Sequence, residues 1–535
     1  MGQGPLISRR GLLGGAGALA LASCGRGPQE LQGGWVGATP ARGHRLRQPL
    51  PAAGDGPLRR TEVLIVGGGV AGLACARALH KRGIDFTLLE LEDQAGGNAR
   101  GHSLQGIRCP LGAHYLPLPG PAAPDVLELL IELGLARHEL GRVVYDERNL
   151  CHSPQERLFF EGQWVEGLLP PANGAAGLAQ YRRFGAAVAQ AQRDLGFAMP
   201  THRARWTAGH TALDSQTFDQ WLDARQLNDA RLRWYLDYCC RDDFGAGSAV
   251  VSAWAGLHYF ASRHGFHAPG DAEAEREPVL TWPEGNGWIT ERMAAGLGPR
   301  LQPGRTVLRI EPGKHEVQVR CWNEAADAPE RWSASQVVLA TPLFIAQRLL
   351  GEAAPSALLE ATRTARHAPW LVANLLIDAP LLDRPGAPPA WDNVAYGSQQ
   401  ALGYVDAGHQ GLAPQRAATV LSSYWALPES QRPALLKDEW RQWASRVLAE
   451  MSSLHLDLPE RLQRIDIARW GHAMSIPVPG RRSSASLAAL RQPHGRLRFA
   501  HSDLAAYSVF EEAYALGHEV GSSAKSQSSQ KETFG

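Results

Sequence analysis

Thr61–Gly72, T-E-V-L-I-V-G-G-G-V-A-G, is the stretch whose reading decides the fold. Four apolar residues, Val63–Val66, run straight into three glycines and then into the helix-forming run Ala71–Leu79. The spacing G-x-G-x-x-G falls on Gly67, Gly69 and Gly72. Gly67 permits a tight turn, Gly69 lets a pyrophosphate approach the backbone, and Gly72 lets the helix pack close to the strand. The helix start at Val70 and Ala71 then offers free N–H groups and a positive dipole end to the phosphates. A second strand is expected over Asp85–Leu91, and it carries Glu90. A carboxylate there accepts hydrogen bonds from both ribose hydroxyls and repels a 2′-phosphate. Glycine-rich turns are common, so a bare strand–turn–helix that binds nothing is the alternative. Strand, turn, helix, second strand and acid in this order point to an adenine dinucleotide.

At 535 residues the chain is too long for one ordinary core, so two or more domains are expected. A hydrophobic fraction of 44% with a formal net charge of +1 describes a globular protein and gives no reason to expect nucleic acid as a partner. Neither H-x-x-x-H nor C-x-x-C ligand spacing occurs, so no metal site is expected. Ser8-Arg9-Arg10-Gly11-Leu12-Leu13 is a twin-arginine pattern, followed by a weakly hydrophobic Gly/Ala/Leu run to Ala22. That run falls short of the roughly 20 apolar residues of a spanning helix and reads as an export signal. Leu21-Ala22-Ser23-Cys24 resembles the lipobox of bacterial lipoproteins, which implies a lipidated Cys24, a membrane-surface anchor and a periplasmic or cell-surface location. An ordinary cleaved signal with an incidental cysteine is the other reading. The twin-arginine route carries folded proteins, which suits a cofactor loaded before export. Six further cysteines, Cys75, Cys109, Cys151, Cys239, Cys240 and Cys321, lack the regular spacing of a disulfide framework and are expected mostly in the core, with a vicinal Cys239–Cys240 disulfide as the exception to test.

Residues 1–24 are thus assigned to the signal and 25–58, rich in Gly, Pro, Gln and Arg, to a flexible tether. The Ser/Lys/Gln-rich tail 522–535 is expected to be disordered. Between them, helices are expected at Asp125–Leu133, Tyr181–Leu195, Phe218–Asp237, Leu435–Met451 and Val509–Val520. Strands are expected at Thr306–Ile310, Glu316–Cys321, Gln336–Ala340, Trp370–Ile377 and Arg496–Ala500. Dinucleotide-type signals lie at the front, middle and end. The fold class is therefore α/β, with a Rossmann-like domain built from discontinuous segments (59–130, 276–345 and 491–521) and an α+β substrate domain inserted between them (131–275 and 346–490).

Several blocks together resemble the flavin-dependent amine oxidase superfamily, which includes monoamine and polyamine oxidases, protoporphyrinogen oxidase and carotenoid desaturases. The resemblance is strongest over 62–117, 282–342 and 496–520. Thr87–Arg100, T-L-L-E-L-E-D-Q-A-G-G-N-A-R, resembles the stretch that wraps the pyrophosphate. Gly96 and Gly97 match, Asn98 stands at the family's arginine position, and Arg100 lies two residues on. Gly106–Tyr115 resembles the loop at the flavin ring, with Gly112, Ala113 and His114 at the approach. Trp282–Gly287 resembles the family's Pro-x-Gly-Gly turn, and Thr306-Val307-Leu308 the strand whose valine pairs with the adenine. Phe499–Asp503 resembles Phe-Ala-Gly-Asp/Glu, so Asp503 inherits the ribityl or pyrophosphate acid, with His501 where glycine is usual. Tyr507–Ala513, which contains Val509 and Phe510, resembles the helix start under the flavin's pyrimidine edge, where helix N–H groups stabilise negative charge on the reduced ring. The cofactor implied is FAD, held non-covalently because no cysteine follows Cys321.

The resemblance implies hydride loss from a substrate C–H, alpha to an amine, to flavin N5, with the protein orienting the substrate and excluding water. The resemblance implies a small-molecule substrate, an amine, with oxygen or a quinone or periplasmic carrier as the acceptor. Trp470 is the expected substrate-side wall, and His472 a proton acceptor. The family's lysine near N5 has no counterpart in Trp370–Asp378, W-L-V-A-N-L-L-I-D, which leaves open a quinone-coupled or desaturase-like dehydrogenase on the same fold. A non-enzymatic binding protein at the membrane surface is the remaining alternative.

Overall fold

Val63–Val66 is buried on both faces, as an unbroken apolar run in a parallel sheet must be. In the computed structural model, which describes residues 31–48, 56–263, 265–271, 278–411 and 418–524, this run ends strand Leu58–Val66. On one side it pairs in parallel with Phe86–Leu89, and on the other with the long strand Ala328–Leu339. Leu301–Gln302 adds beyond Phe86–Leu89. The first half of Ala328–Leu339 pairs with the hairpin Arg305–Pro312/Val317–Asn323, and its last three residues pair in parallel with Leu497–Phe499. One sheet is thus assembled from distant chain segments.

A second, mostly antiparallel sheet runs in the order Gly33–Val36, Leu462–Ser475, His367–Ile377, Thr419–Ala426, Ala401–Asp406, Asp392–Ala395, Glu156–Phe160, Gln163–Glu166. Its central strand, His367–Ile377, is buried at every residue, with helix Trp440–Leu454 covering one face. A group of helices, Gly174–Leu195, Phe218–Ala224, Ala230–Phe244 and Ala253–Ala261, packs its aromatic faces together beside this sheet.

The tether expected over 25–58 is not unstructured throughout. Gly33–Val36 pairs in parallel with Leu462–Ser475, and helix Pro40–His44 follows. A Cβ on Gly33 would sit 1.7 Å from the Ile465 carbonyl oxygen, so only glycine brings the chain this close. The backbone N–H and hydroxyl of Thr39 both donate to Glu92, at 2.7 and 2.8 Å. A four-residue edge strand without apolar alternation owes its order to backbone pairing, which composition does not reveal.

Two expected helices are each broken in two. Phe218–Asp237 becomes Phe218–Ala224 and Ala230–Phe244, because Gln226 takes φ 52° and Asp229 caps the second helix by accepting from Arg231 and Leu232 N–H. Leu435–Met451 becomes Arg432–Lys437 and Trp440–Leu454, with Asp438 extended between them. The final helix, Phe510–Ser523, runs into the expected tail, and Ala524 is buried, so three residues of that segment, 522–524, are ordered. The twin-arginine pattern, Cys24 and residues 525–535 lie outside the described residues. Cys239 and Cys240 are both free thiols in Ala230–Phe244, so the vicinal disulfide does not form.

Helix Val70–Lys81 and helix Phe510–Ser523 touch backbone to backbone. A Cβ on Gly517 would lie 2.0 Å from Ala71 O, and one on Gly521 2.6 Å from Cys75 O. The last helix is thereby clamped onto the first, and both N-termini reach the same cleft.

Candidate cofactor cleft and active site

The turn Gly67–Gly69 is built as its glycines demand. Gly67 takes φ +105°, and a Cβ on Gly72 would stand 1.9 Å from the Gly67 carbonyl oxygen. Facing it, Gly96 and Gly97 take φ +129° and +57°, and a Cβ on Gly97 would lie 3.1 Å from Gly69 Cα. Gly69 and Gly96 are bridged through their backbones, since Gly96 N–H donates to Gly68 O at 2.7 Å. Two side-chain-free turns and the start of helix Val70–Lys81 thus form one wall of a long cleft. That wall suits a pyrophosphate, which needs backbone N–H donors and no intervening side chains.

Glu90 sits at the ribose end. Its Oε2 accepts from Gly68 N–H at 2.6 Å and its Oε1 from Glu92 N–H at 2.8 Å, leaving one lone pair on each oxygen for a diol. Burial pushes the Glu90 carboxyl up, against those two backbone donors. Val307 lines the same cleft beside a bulge, where the pairing of Arg305–Pro312 with Val317–Asn323 shifts register between Val307 and Arg309.

Asp503 lines the same cleft and is 1% exposed. Its Oδ2 accepts from Leu343 N–H at 2.9 Å, at the start of helix Leu343–Leu350. His367 Nε2 lies 3.1 and 3.2 Å from the two carboxylate oxygens. Burial alone would raise this carboxyl, but His367 and His501 hold it well below the usual range. His501, in the family's glycine position, accepts from Asp503 N–H through Nδ1 at 3.1 Å and so shapes the turn a glycine would otherwise make. Val509 caps helix Phe510–Ser523, and both Val509 and Phe510 line the cleft.

The loop at residues 110–114 separates this cleft from a second cavity. Three successive carbonyls of the loop accept from side chains of the substrate sheet: Pro110 from Asn374 Nδ2 (2.8 Å), Leu111 from Trp470 Nε1 (2.7 Å) and Gly112 from Tyr424 Oη (3.1 Å). Ser422 in turn donates to Asn374 Oδ1 at 2.5 Å. A Cβ on Gly112 would lie 2.1 Å from Asn98 O, so the loop and the second glycine turn are in backbone contact. His114 stacks on Tyr424 at 4.2 Å between ring centroids, and burial pushes its imidazole down to about 3.

The second cavity, about 150 Å³, shares Asn98, Ala113, Ala473, Val509 and Phe510 with the cofactor cleft. Its further walls include Trp370, Val372, Tyr424 and Trp470. Glu511 and Asp242 face it as well. Burial pushes each up to about 7, with Asp243 adding to both shifts. A third cavity, about 170 Å³, continues from it past His114, Tyr115 and Tyr424.

The structure brings Gly67, Gly69, Val70, Ala71, Glu90, Gly97, Asn98, Ala113, Val307, Asp503, Val509 and Phe510 to one cleft. Gly72 supports the turn from behind, while Gly112 and His114 face the second cavity. Arg100 does not reach the cleft. Its Nε donates to Gly97 O at 3.2 Å, and its guanidinium stacks 5.4 Å from the Trp470 ring, so its role is to brace the glycine turn. Trp470 lines the second cavity. His472 does not: it lies in the cofactor cleft, 4.6 Å from the Phe344 ring, where burial and then Arg432 and His367 push it down to about 4. It is not among the residues lining the second cavity, though its neighbour Ala473 is. Sequence reasoning missed Glu511 and Asp242, whose sequence neighbourhoods are an ordinary helix start and an ordinary helix end. It also missed Gly43 and Leu46, which line the cleft from the supposed tether, and His367, which no motif marks.

A discontinuous Rossmann-type sheet, a glycine-walled cleft that Asp503 lines, and an aromatic cavity that shares residues with it define an FAD-dependent oxidoreductase. The family described as flavin containing amine oxidoreductase matches residues 70–520, and the chain belongs to it. Human amine oxidase [flavin-containing] B is 26% identical over 299 residues, 54% of this chain and 52% of the relative. An L-amino acid dehydrogenase from Synechocystis sp. is 24% identical over 305 residues, 56% of this chain and 59% of the relative. The chain therefore matches about half the length of these curated relatives. Among solved structures, putrescine oxidase bound to putrescine superposes with a TM-score of 0.63 at 18% identity, over 87% of this chain and 99% of that one. A fatty acid isomerase from P. acnes superposes with a TM-score of 0.57 at 15% identity, over 86% of this chain and 97% of that one.

Proposed function

We propose that the protein oxidises a small amine at the carbon next to nitrogen, in the cavity walled by Trp470, Tyr424 and Phe510. Bound FAD supplies the two-electron acceptor for the hydride. The observation that carries the reading is the cavity itself, which meets the cofactor cleft at Ala113, Ala473 and Val509 and combines aromatic walls with carboxyl groups. Aromatic faces and carboxylates attract a cationic amine. The amine must lose its proton before its C–H bond is oxidised, and a carboxyl near 7 is suited to take it. Glu511 is 4% exposed, faces the cavity and has such a carboxyl.

Glu511→Gln removes that acceptor and keeps the shape. We expect kcat/KM for amines to fall about 100-fold at neutral pH, the lower end of general-base effects. The ascending limb of the pH profile near 7 should disappear with it, while flavin content is unchanged. Trp470→Phe keeps a ring but deletes the donor to Leu111 O; a loss of about 1 kcal/mol, or roughly fivefold in kcat/KM, is expected from one hydrogen bond. The decisive experiment is anaerobic: bleaching of the flavin absorbance by an amine panel supports the reading, and bleaching by none of them refutes it.

The acceptor is proposed to be a quinone or another membrane carrier. Trp370 and Val372 are the residues of strand His367–Ile377 that face the substrate cavity, and neither is a lysine. Slow peroxide release in air with fast reduction of a soluble quinone supports this; stoichiometric peroxide at the amine oxidation rate refutes it. Export by the twin-arginine route and attachment through Cys24 complete the proposal, on the strength of the sequence alone. Cys24→Ser should move the protein from the membrane fraction to the soluble one.

A further inference from the structure

Glu511 is followed by a second buried glutamate, and the two are held in opposite ways. Glu511 and Glu512 occupy the first turn of helix Phe510–Ser523 and are 4% and 0% exposed. Successive helix residues point about 100° apart. Glu511 thus turns to the substrate cavity, and Glu512 to the short helix Thr201–Arg203. Glu512 Oε1 accepts from Thr201 N–H. Its Oε2 faces His202 Nδ1 at 3.8 Å, and among the described residues neither atom has a hydrogen-bond partner. The other ring nitrogen, Nε2, lies 2.6 Å from Glu519 Oε1, about two turns further along the same helix. An ionised carboxylate only accepts, so Nε2 carries a proton. A neutral ring would then aim the bare lone pair of Nδ1 at Glu512, so the arrangement calls for the imidazolium. Burial alone would lower the His202 imidazole, but Glu512 and Glu519 hold it above its ordinary value. Burial alone would raise the Glu512 carboxyl, but His202 and Thr201 N–H hold it below. Arg203 extends the clamp, with Nη1 paired to Asp125 at 2.6 Å and Nη2 3.4 Å from Glu519.

Resting on the amine reading above, we infer that Glu512, clamped by His202, is the positioning residue for the proton acceptor: it fixes the helix start that aims Glu511 into the cavity and keeps a permanent negative charge beside it. Glu512, His202 and Glu519 do not line the substrate cavity, so their influence passes through Glu511. Two acids on adjoining residues cannot both ionise freely, and the clamped one keeps its charge. Glu511 therefore holds its proton to higher pH and exchanges it near neutrality. The other groups that act on Glu511 are Asp243, which raises it as well, and Arg263, which pulls it down; Tyr507 donates to Asp243, and Asp242 faces the same cavity. Besides His202, Glu512 feels Arg482, while His258 nearby is pushed down to about 4 by burial and stays neutral. Glu519 feels Arg203 and Arg491.

The test titrates Glu511 in the full-length holoenzyme by two routes. The first is the ascending limb of kcat/KM against pH with n-pentylamine, which reports the acceptor of the free enzyme. The second needs no turnover: the infrared carbonyl band of the protonated Glu511 carboxyl, assigned by its absence in Glu511→Gln. Glu512→Gln keeps an acceptor for Thr201 N–H and removes the charge, and both readouts should move to lower pH by about one unit. Glu519→Gln removes the outer half of the clamp and leaves the Glu512 charge in place. Both readouts should then stay at their wild-type positions while the unfolding midpoint falls. A limb and band unmoved in Glu512→Gln, or moved equally in Glu519→Gln, would overturn the inference and leave amine oxidation standing. Flavin bleached by no amine removes the amine reading, and the infrared band alone then decides whether Glu512 sets the protonation of Glu511.

Discussion

Gly72→Val will yield a protein purified without flavin. The Cβ of residue 72 would stand 1.9 Å from Gly67 O and 3.4 Å from the Ala340 side chain, closer to the oxygen than any non-bonded contact allows. Neither neighbour can yield. Gly67 is held at φ +105° with its N–H donating to Leu89 O at 2.9 Å, and Ala340 N–H donates to Val66 O at 2.9 Å. Helix Val70–Lys81 is equally unable to retreat, because Ala71 and Cys75 already touch Gly517 and Gly521 of the last helix. Valine therefore opens the turn, and the helix N–H groups move off the pyrophosphate. Overpacking of this kind costs about 1–3 kcal/mol where a core can relax, and more here. The expected result is a flavin-to-protein absorbance ratio below about one tenth of the wild-type value, the effect of losing about 1.8 kcal/mol or more of binding at a cofactor level near Kd. Far-UV circular dichroism separates this from misfolding, and full flavin occupancy would refute the account.

The same turn explains why so much of the cleft is legible in sequence. Gly67, Gly69, Gly72 and Glu90 lie within one strand–turn–helix–strand unit, where residue type and spacing act locally. Val307 and Asp503 are equally local in their own segments, and the discontinuous sheet follows from matching their strands to the first. What sequence does not disclose is carried by contacts between segments. Gly33–Val36 is a strand only because Leu462–Ser475 lies beside it. His367 becomes part of the cleft only through Asp503. Arg100 could have turned to the phosphates, but its guanidinium is taken by Gly97 O and the Trp470 ring. The acids of the inner cavities are the plainest case: Glu156, Asp242 and Asp392 come from a strand, a helix and another strand, and each alone looks like an ordinary surface carboxylate.

The loop at 110–114 shows the reverse, a local motif whose function depends on distant support. Gly112 and Ala113 make close approach feasible, but Asn374, Trp470 and Tyr424 from three different strands fix where the loop stands. A rigid loop between cofactor and substrate is what positioning requires, since misplacement by about 1 Å can cost two orders of magnitude in rate.

Asp503→Ala will be the most destabilising single change in the cleft. The carboxylate joins three segments: its own turn Ser502–Ala505, the start of helix Leu343–Leu350, and His367 of the substrate sheet. Alanine leaves the Leu343 N–H and the His367 ring buried without an acceptor, and each buried donor left unsatisfied costs about 1–3 kcal/mol. The loss should read as a lower unfolding midpoint and as flavin release at concentrations where the wild type stays loaded. Asp503→Asn separates charge from shape, because its amide oxygen can still accept from Leu343 N–H. The sign of the pH effect follows from the depressed carboxyl. Its stabilisation is complete above the ordinary aspartate value of about 3.9 and is lost as pH falls through the lower, folded-state value. Wild-type stability should therefore decline with an acid limb to which Asp503 contributes, and Asp503→Asn should start lower at neutral pH and lose that contribution. Parallel curves for wild type and Asp503→Asn, differing by a constant offset from pH 7 to pH 3, would show that the depressed Asp503 carboxyl does not contribute to the acid limb.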